Sequence, residues 1–135
     1  MATRRVPIHN STHALISAHW NLANERKWDE FATLLHPDLK YEVPQTQEYI
    51  DSSAGYLDMF RTWPGDWRAA IRHLICEDAK AVSVIEFKVG AEVMTGITIF
   101  GLTHGKIVSV TEYWPDPYEP APRTSAYLKR HPREA

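Results

Sequence analysis

The sequence has one cysteine, Cys76, and so cannot close a disulfide within the chain. That excludes a disulfide-stapled scaffold and makes a reducing, cytoplasmic setting the expectation. Long apolar runs are missing as well: nothing approaches the ~18–20 residues of a membrane span. The opening MATRRVPIHN carries arginines without an apolar stretch behind them, so it does not read as a secretory signal. Neither sign of charge dominates, with 15 Lys and Arg against 17 Asp and Glu and a net charge of −2. The basic residues of TRR and KR lie near the two ends, which leaves no electrostatic footprint for nucleic acid. A Gly-rich phosphate loop, a CxxC pair and a Ser-His-Asp grouping are all absent. The 7 histidines show no metal-ligand spacing. His9 and His13 are four apart, but His9 precedes the expected helix cap, and no metal or other cofactor is expected.

What is present suffices for an ordinary core. The 135 residues, 44% hydrophobic and 24% charged, fit a single domain over 1–135 with a proline-rich tail from about 115. NSTHALISAHWNLANER opens on the cap types Asn10 and Ser11. Leu15, Ala18, His19 and Leu22 then recur at helical spacing, flanked by Ile16, Trp20 and Ala23. KWDEFATLLHPD predicts a second helix that turns Trp28, Phe31, Leu34 and Leu35 inward and stops at Pro37. LKYEVP reads as a strand ended by Pro44. SSAGYLDMFRTWPGD predicts a third helix, capped by Asp51 or Ser52, striped by Tyr56, Met59, Phe60 and Trp63, and ended by Pro64-Gly65. WRAAIRHLICED, KAVSVIEFKVG, EVMTGITIFGL and KIVSVTEYW are rich in β-branched and aromatic residues and read as antiparallel hairpins. The expected class is α+β, three helices on one face of a bent, mostly antiparallel sheet.

Alternation sharpens this. In the last strand Val108, Val110, Glu112 and Trp114 share one face, and Ile107, Ser109, Thr111 and Tyr113 the other. In the strand before it Val93, Thr95, Ile97 and Ile99 oppose Met94, Gly96, Thr98 and Phe100. No face is wholly polar, as a sheet with one wet side should be. Helices cover one side, and a second copy of the chain is the simplest cover for the other, so a homodimer through the sheet face is expected. Pro115, Pro117, Pro120 and Pro122 take the tail out of the sheet, to fold back near a pocket rim or onto a partner.

With this order of elements, NERKWDEFATLLHPDLKYEVP, TGITIF and HGKIVSVTEYWPDPYEP resemble the nuclear transport factor two-like superfamily, and among its members the SnoaL-like bacterial proteins. The resemblance implies a cone-shaped, cystatin-like fold whose curved sheet wraps the helices around a pocket. It also implies a membership of isomerases, polyketide cyclases, epoxide hydrolases, dehydratases and non-enzymatic binding modules, so fold alone leaves function open. In cyclases and epoxide hydrolases of this fold an acid lies seven residues after the glycine of a GKI-like turn, and counting from Gly105 reaches Glu112. The epoxide hydrolases' Arg and Asp on a middle strand correspond to Glu86 and Lys88, which departs from that mechanism. Three ketosteroid isomerase positions correspond to Val43, His19 and Gly96, none of which carries that family's group. For the dehydratases' paired histidines and tyrosines, His73 and Tyr41 are available.

Two readings of Glu112 stand. A carboxyl among apolar face-mates suits proton transfer near neutral pH; a structural acid held by a donor is the alternative. His73, amid IRHLI, is either a second catalytic group or a core or interface histidine. Glu86 and Lys88 are either a cross-strand pair or, for Glu86, a second pocket acid. Trp20, His19, Tyr41, Phe60, Trp63 and Trp114 are the candidate ligand-binding residues, an aromatic wall for a flat hydrophobic molecule. The expected function is a cofactor-independent isomerase, cyclase or dehydratase working by general acid–base catalysis on such a molecule. The alternatives are a non-catalytic ligand-binding or protein-interaction module of the same fold, or a structural dimer.

Overall fold

A computed structural model describes residues 8–132; the reading of MATRRVP lies outside them. Three helices, α1 (Ile8–Glu25), α2 (Trp28–Ala32) and α3 (Ser53–Thr62), pack on six strands: β1 (Leu35–Val43), β2 (Glu48–Ile50), β3 (Arg68–Cys76), β4 (Lys80–Val89), β5 (Glu92–Thr103) and β6 (Lys106–Tyr113). The sheet order is β2-β1-β6-β5-β4-β3. Only β1 and β6 run parallel; the other neighbours are antiparallel. The expected α+β class and the four-strand meander are therefore present. No helix among the described residues is long and apolar enough to cross a membrane.

α1 buries Ile16, His19, Trp20 and Ala23, one stripe at helical spacing. Its C-terminal end is tied to the edge strand: Asn24 donates to the Ala69 carbonyl and accepts from the Ala69 amide, both at 2.8 Å. Arg26 then turns the chain at a φ of 62°. Its guanidinium lies 3.8 Å from the Trp67 ring centroid and donates to the Trp67 carbonyl at 2.6 Å, so cation–π attraction and a charge-assisted bond hold a conformation that a side chain rarely adopts. At α3, Ser52 is the cap, its hydroxyl accepting from the Gly55 amide at 3.0 Å.

Several boundaries differ from the sequence reading. α1 starts at Ile8, ahead of Asn10 and Ser11, so His9 lies on the helix; a first turn tolerates such residues because its amides lack helical partners anyway. α2 ends at Ala32, where Thr33 closes the turn by donating to the Glu30 carbonyl at 2.6 Å. Leu35 and Pro37 accordingly belong to β1. The proline sits where pairing with β6 is interrupted, between Leu35 and Lys40, so no ladder bond is lost to it. β2 is an unanticipated short edge strand. The tail is irregular apart from a turn at Ala126–Tyr127.

Two register slips re-aim side chains. β5 pairs β6 with a slip between Gly101 and Leu102 that leaves Val108 as the extra residue. Ile107 consequently joins Val110 and Glu112 on the buried face, and Val108 does not, contrary to strict alternation. In β3 the slip falls between Ile71 and His73. It turns Leu74 and Cys76 toward the core side and puts His73 opposite Val84 on the outer face.

Candidate active site

Glu112 is the carboxyl that the sheet turns inward. It is 3% exposed and both its oxygens are engaged. The Tyr41 hydroxyl of β1 donates to Oε1 at 2.8 Å, and the Thr98 hydroxyl of β5 donates to Oε2 at 3.0 Å. The three groups meet because β6 lies between β1 and β5, with Thr98 directly opposite Glu112. Burial raises the Glu112 pKa above the ordinary carboxylate value, opposed by hydrogen bonds from Tyr41, Thr98 and Trp114. The Tyr41 hydroxyl is itself pushed up, first by burial and then by the charge of Glu112, so it stays a donor.

The space around this carboxyl is narrow. A cavity of about 10 Å³ is lined by Trp20, Phe60, Phe87, Glu112 and the trio Met59, Trp63 and Trp114. That is at the lower bound for one water molecule. The same trio also lines a wider outer cleft of about 460 Å³, completed by Tyr41, Val43 and the β1–β2 hairpin from Thr46 to Ile50. Tyr41 thus borders the cleft while bonding the acid. Past Trp114 the described residues of the tail line neither space. Among the described residues no three His, Cys, Asp or Glu gather as a metal set.

Trp114 is fixed at both ends. Gln45 accepts from its amide at 2.5 Å and donates to its carbonyl at 3.3 Å. Its ring lies against Gly96, where an added Cβ would come within 3.0 Å of it. The position where the resemblance would place an isomerase acid is therefore covered by an indole.

The nominated histidines fall elsewhere. His73 is a correction: it is exposed on the outer face of β3, and the bulge that puts it there removes it from Glu112. Glu86 is on that outer face too, bonded by Arg72 at 2.6 Å and Lys88 at 3.0 Å, which hold its carboxyl below the usual range; it is not a second pocket acid. His19 is wholly buried but lines neither space. It is boxed by Trp20, Phe31, Phe60 and Phe100, and its Nε2 meets the Tyr56 hydroxyl at 2.7 Å. Burial lowers its pKa to about 3, so it is neutral. The sequence reading missed Thr98 as a partner of the acid.

Tyr41→Phe keeps the ring and removes one donor. The expected result is a further rise in the Glu112 pKa and a loss of about 1–3 kcal/mol in stability at a pH where the acid is ionised. A carboxyl ¹³C titration with parallel urea melts reads both; an unmoved Glu112 signal would contradict the bond's role.

The SnoaL-like domain family matches residues 16–110. A crystal structure from Kribbella flavida DSM 17836, described as a candidate ketosteroid isomerase, is 34% identical, covers 93% of this chain and 93% of its own, and has a TM-score of 0.85. An LEH-like epoxide hydrolase from M. tuberculosis is 16% identical over 81% of this chain and 86% of its own, with a TM-score of 0.68. A candidate polyketide cyclase from Xanthomonas campestris pv. campestris is 16% identical over 81% of this chain and 93% of its own, with a TM-score of 0.64. The last two show the shared fold alone. No curated protein matches the chain.

Proposed function

The chain belongs to the SnoaL-like domain family, and on that premise we propose that it is a small-molecule enzyme in which Glu112 transfers a proton on an apolar, oxygen-bearing ligand. One observation carries the reading: Tyr41 lines the outer cleft and donates to Glu112, linking the place where a ligand fits to a buried acid. A carboxyl raised by burial keeps its proton to a higher pH than a free one, which suits it to give or take a proton in a dry site. Trp20, Phe60, Trp63 and Trp114 supply an apolar wall, and the Tyr41 hydroxyl, whose proton is given to Glu112, keeps a lone pair to accept from a ligand hydroxyl. The reaction class is isomerisation, cyclisation or dehydration without a cofactor. The Kribbella relative's description as a candidate isomerase is consistent with that class, although Val43, His19 and Gly96 supply none of the three isomerase groups named above. The test is to identify what co-purifies by mass spectrometry and to incubate it with the natural protein and with Glu112→Gln. Conversion by the first and binding without conversion by the second is the expected result; equal conversion by both would contradict it.

A non-catalytic binder is the second reading. The room beside Glu112 is water-sized while the outer cleft is about 460 Å³, so a ligand could fill the cleft and never touch the acid. Saturable quenching of tryptophan fluorescence with no product at any pH would favour this reading.

The reading includes a homodimer through the outer sheet face. Ile75 and Val93 are 68% and 60% exposed there, beside the half-buried Val82, Val84, Ile97 and Ile99. Glu86, with Arg72 and Lys88 around it, gives this face both signs of charge, so two copies related by a twofold axis can pair acid with base. Val84→Arg should convert a dimer to a monomer in sedimentation at micromolar concentration. A natural protein that sediments as a monomer would contradict the assignment.

A further inference from the structure

We infer that Trp63 is the plug that decides which ligands reach Glu112, its indole closing the passage from the outer cleft and leaving it by rotation at the end of α3. This rests on the reading of Glu112 as the working acid. Met59, Trp63 and Trp114 line both the outer cleft and the space beside the carboxyl, so they form the partition between the two. The three differ in freedom. Trp114 is held by Gln45 on its amide and carbonyl, and its ring rests on Gly96. Met59 lies within α3, between the buried anchors Tyr56 and Phe60. Trp63 follows the last helical residue, with a ψ of 129° that has already left the helix. Its backbone keeps one turn bond, to the Phe60 carbonyl at 3.3 Å. Its ring touches Phe87 edge-on, 5.8 Å between centroids, and remains 39% exposed. Pro64 and Gly65, the latter at a φ of 87°, carry the chain on through an exposed bend.

An indole in that position has a reason to leave. It gives up one edge contact and a share of buried area, and an apolar ring entering behind it recovers both. The partition therefore opens on the Trp63 side, and a ligand must be flat and apolar enough to replace the indole against Phe87. The opened passage leads to Glu112 with Tyr41 and Thr98 still bonded, because neither residue belongs to the partition.

The test needs no known substrate. Glu112 is titrated by its carboxyl ¹³C signal in the natural protein, in Trp63→Ala and in Trp63→Phe. Unplugging admits water and relieves the burial that raises the acid, so the Trp63→Ala midpoint should fall by about one pH unit. Trp63→Phe keeps a ring in the passage and should stay near the natural value. In Trp63→Ala, 2-naphthol should move the Glu112 signal at about tenfold lower concentration than in the natural protein, equivalent to ~1.4 kcal/mol. An unchanged Trp63→Ala midpoint, or equal falls in both variants, would overturn the plug. The two ideas fail separately. A lowered midpoint in Trp63→Ala with turnover surviving Glu112→Gln keeps the plug and removes the catalytic acid. An unmoved midpoint with turnover lost in Glu112→Gln does the reverse.

Discussion

Glu112→Gln should turn over the ligand about 10²–10⁴-fold more slowly than the natural protein, the usual worth of a positioned general acid or base. Fold and ligand affinity should survive the change. The amide oxygen still accepts from Tyr41, and the amide N–H₂ faces the Thr98 hydroxyl, which can accept as well as donate. What glutamine lacks is a proton to give or a base to take one. Stability then separates the two proteins by pH. At low pH the acid is neutral in both the folded and the unfolded chain and costs nothing. As pH rises the unfolded chain ionises first, because burial raises the folded value. The natural protein therefore loses stability through the window between the two values, and the loss is complete above the folded one. Glutamine has no such window. Urea melts should show the variant gaining on the natural protein as pH rises from the ordinary carboxylate value to the raised folded one; a gap that stays flat would mean that the acid is not raised.

Trp20→Ala should cost about 3–5 kcal/mol, the common loss when a buried aromatic is truncated. Trp20 is 1% exposed and packs edge-on against His19, Phe60 and Phe100. Its indole N–H donates to the Ser83 hydroxyl at 3.1 Å, joining α1 to β4. Truncation leaves a hole and strips a wholly buried hydroxyl of its donor, which pushes the loss to the upper part of that range. Set against a typical total of about 5–15 kcal/mol, this is a large share of the stability. The hole also opens beside Glu112, since Trp20 lines the same small cavity, so the acid's pKa should fall toward the ordinary value as water enters. Trp20→Phe should recover much of the packing but not the bond to Ser83. A measured loss below about 1 kcal/mol for the alanine variant would show that this core repacks freely, which close packing argues against.

The sequence makes the fold legible where spacing and turn chemistry agree. Helical stripes, the Ser52 cap and the β-branched runs of the meander all lead to the elements found. The inward aim of Glu112 was readable too, from its apolar face-mates and, through the family resemblance, from its place after Gly105. Thr98 was not. His104 and Gly105 both have positive φ, a two-residue turn that sets Thr103 opposite Lys106. Continued without interruption, that register puts Ile97 against Glu112. The bulge at Val108 moves the pairing by one and brings a hydroxyl there instead. Bulges depend on how the whole sheet twists, and no local residue pattern announces this one. His73 was misplaced for the same reason, by the slip after Ile71. β2 escaped notice because Glu48, Tyr49 and Ile50 form a short edge paired only to β1, and with it went the outer wall of the cleft. Trp63 reads as part of an apolar helical stripe, yet α3 ends one residue earlier and leaves it half free.

The most direct measurement is a crystal structure of the protein with its co-purifying or converted ligand bound. The expected result has the Trp63 indole displaced and a ligand oxygen or acidic C–H within about 2.6–3.2 Å of the Glu112 carboxyl or one water away. A ligand lying wholly in the outer cleft, with Met59, Trp63 and Trp114 still closed over the acid, would contradict it.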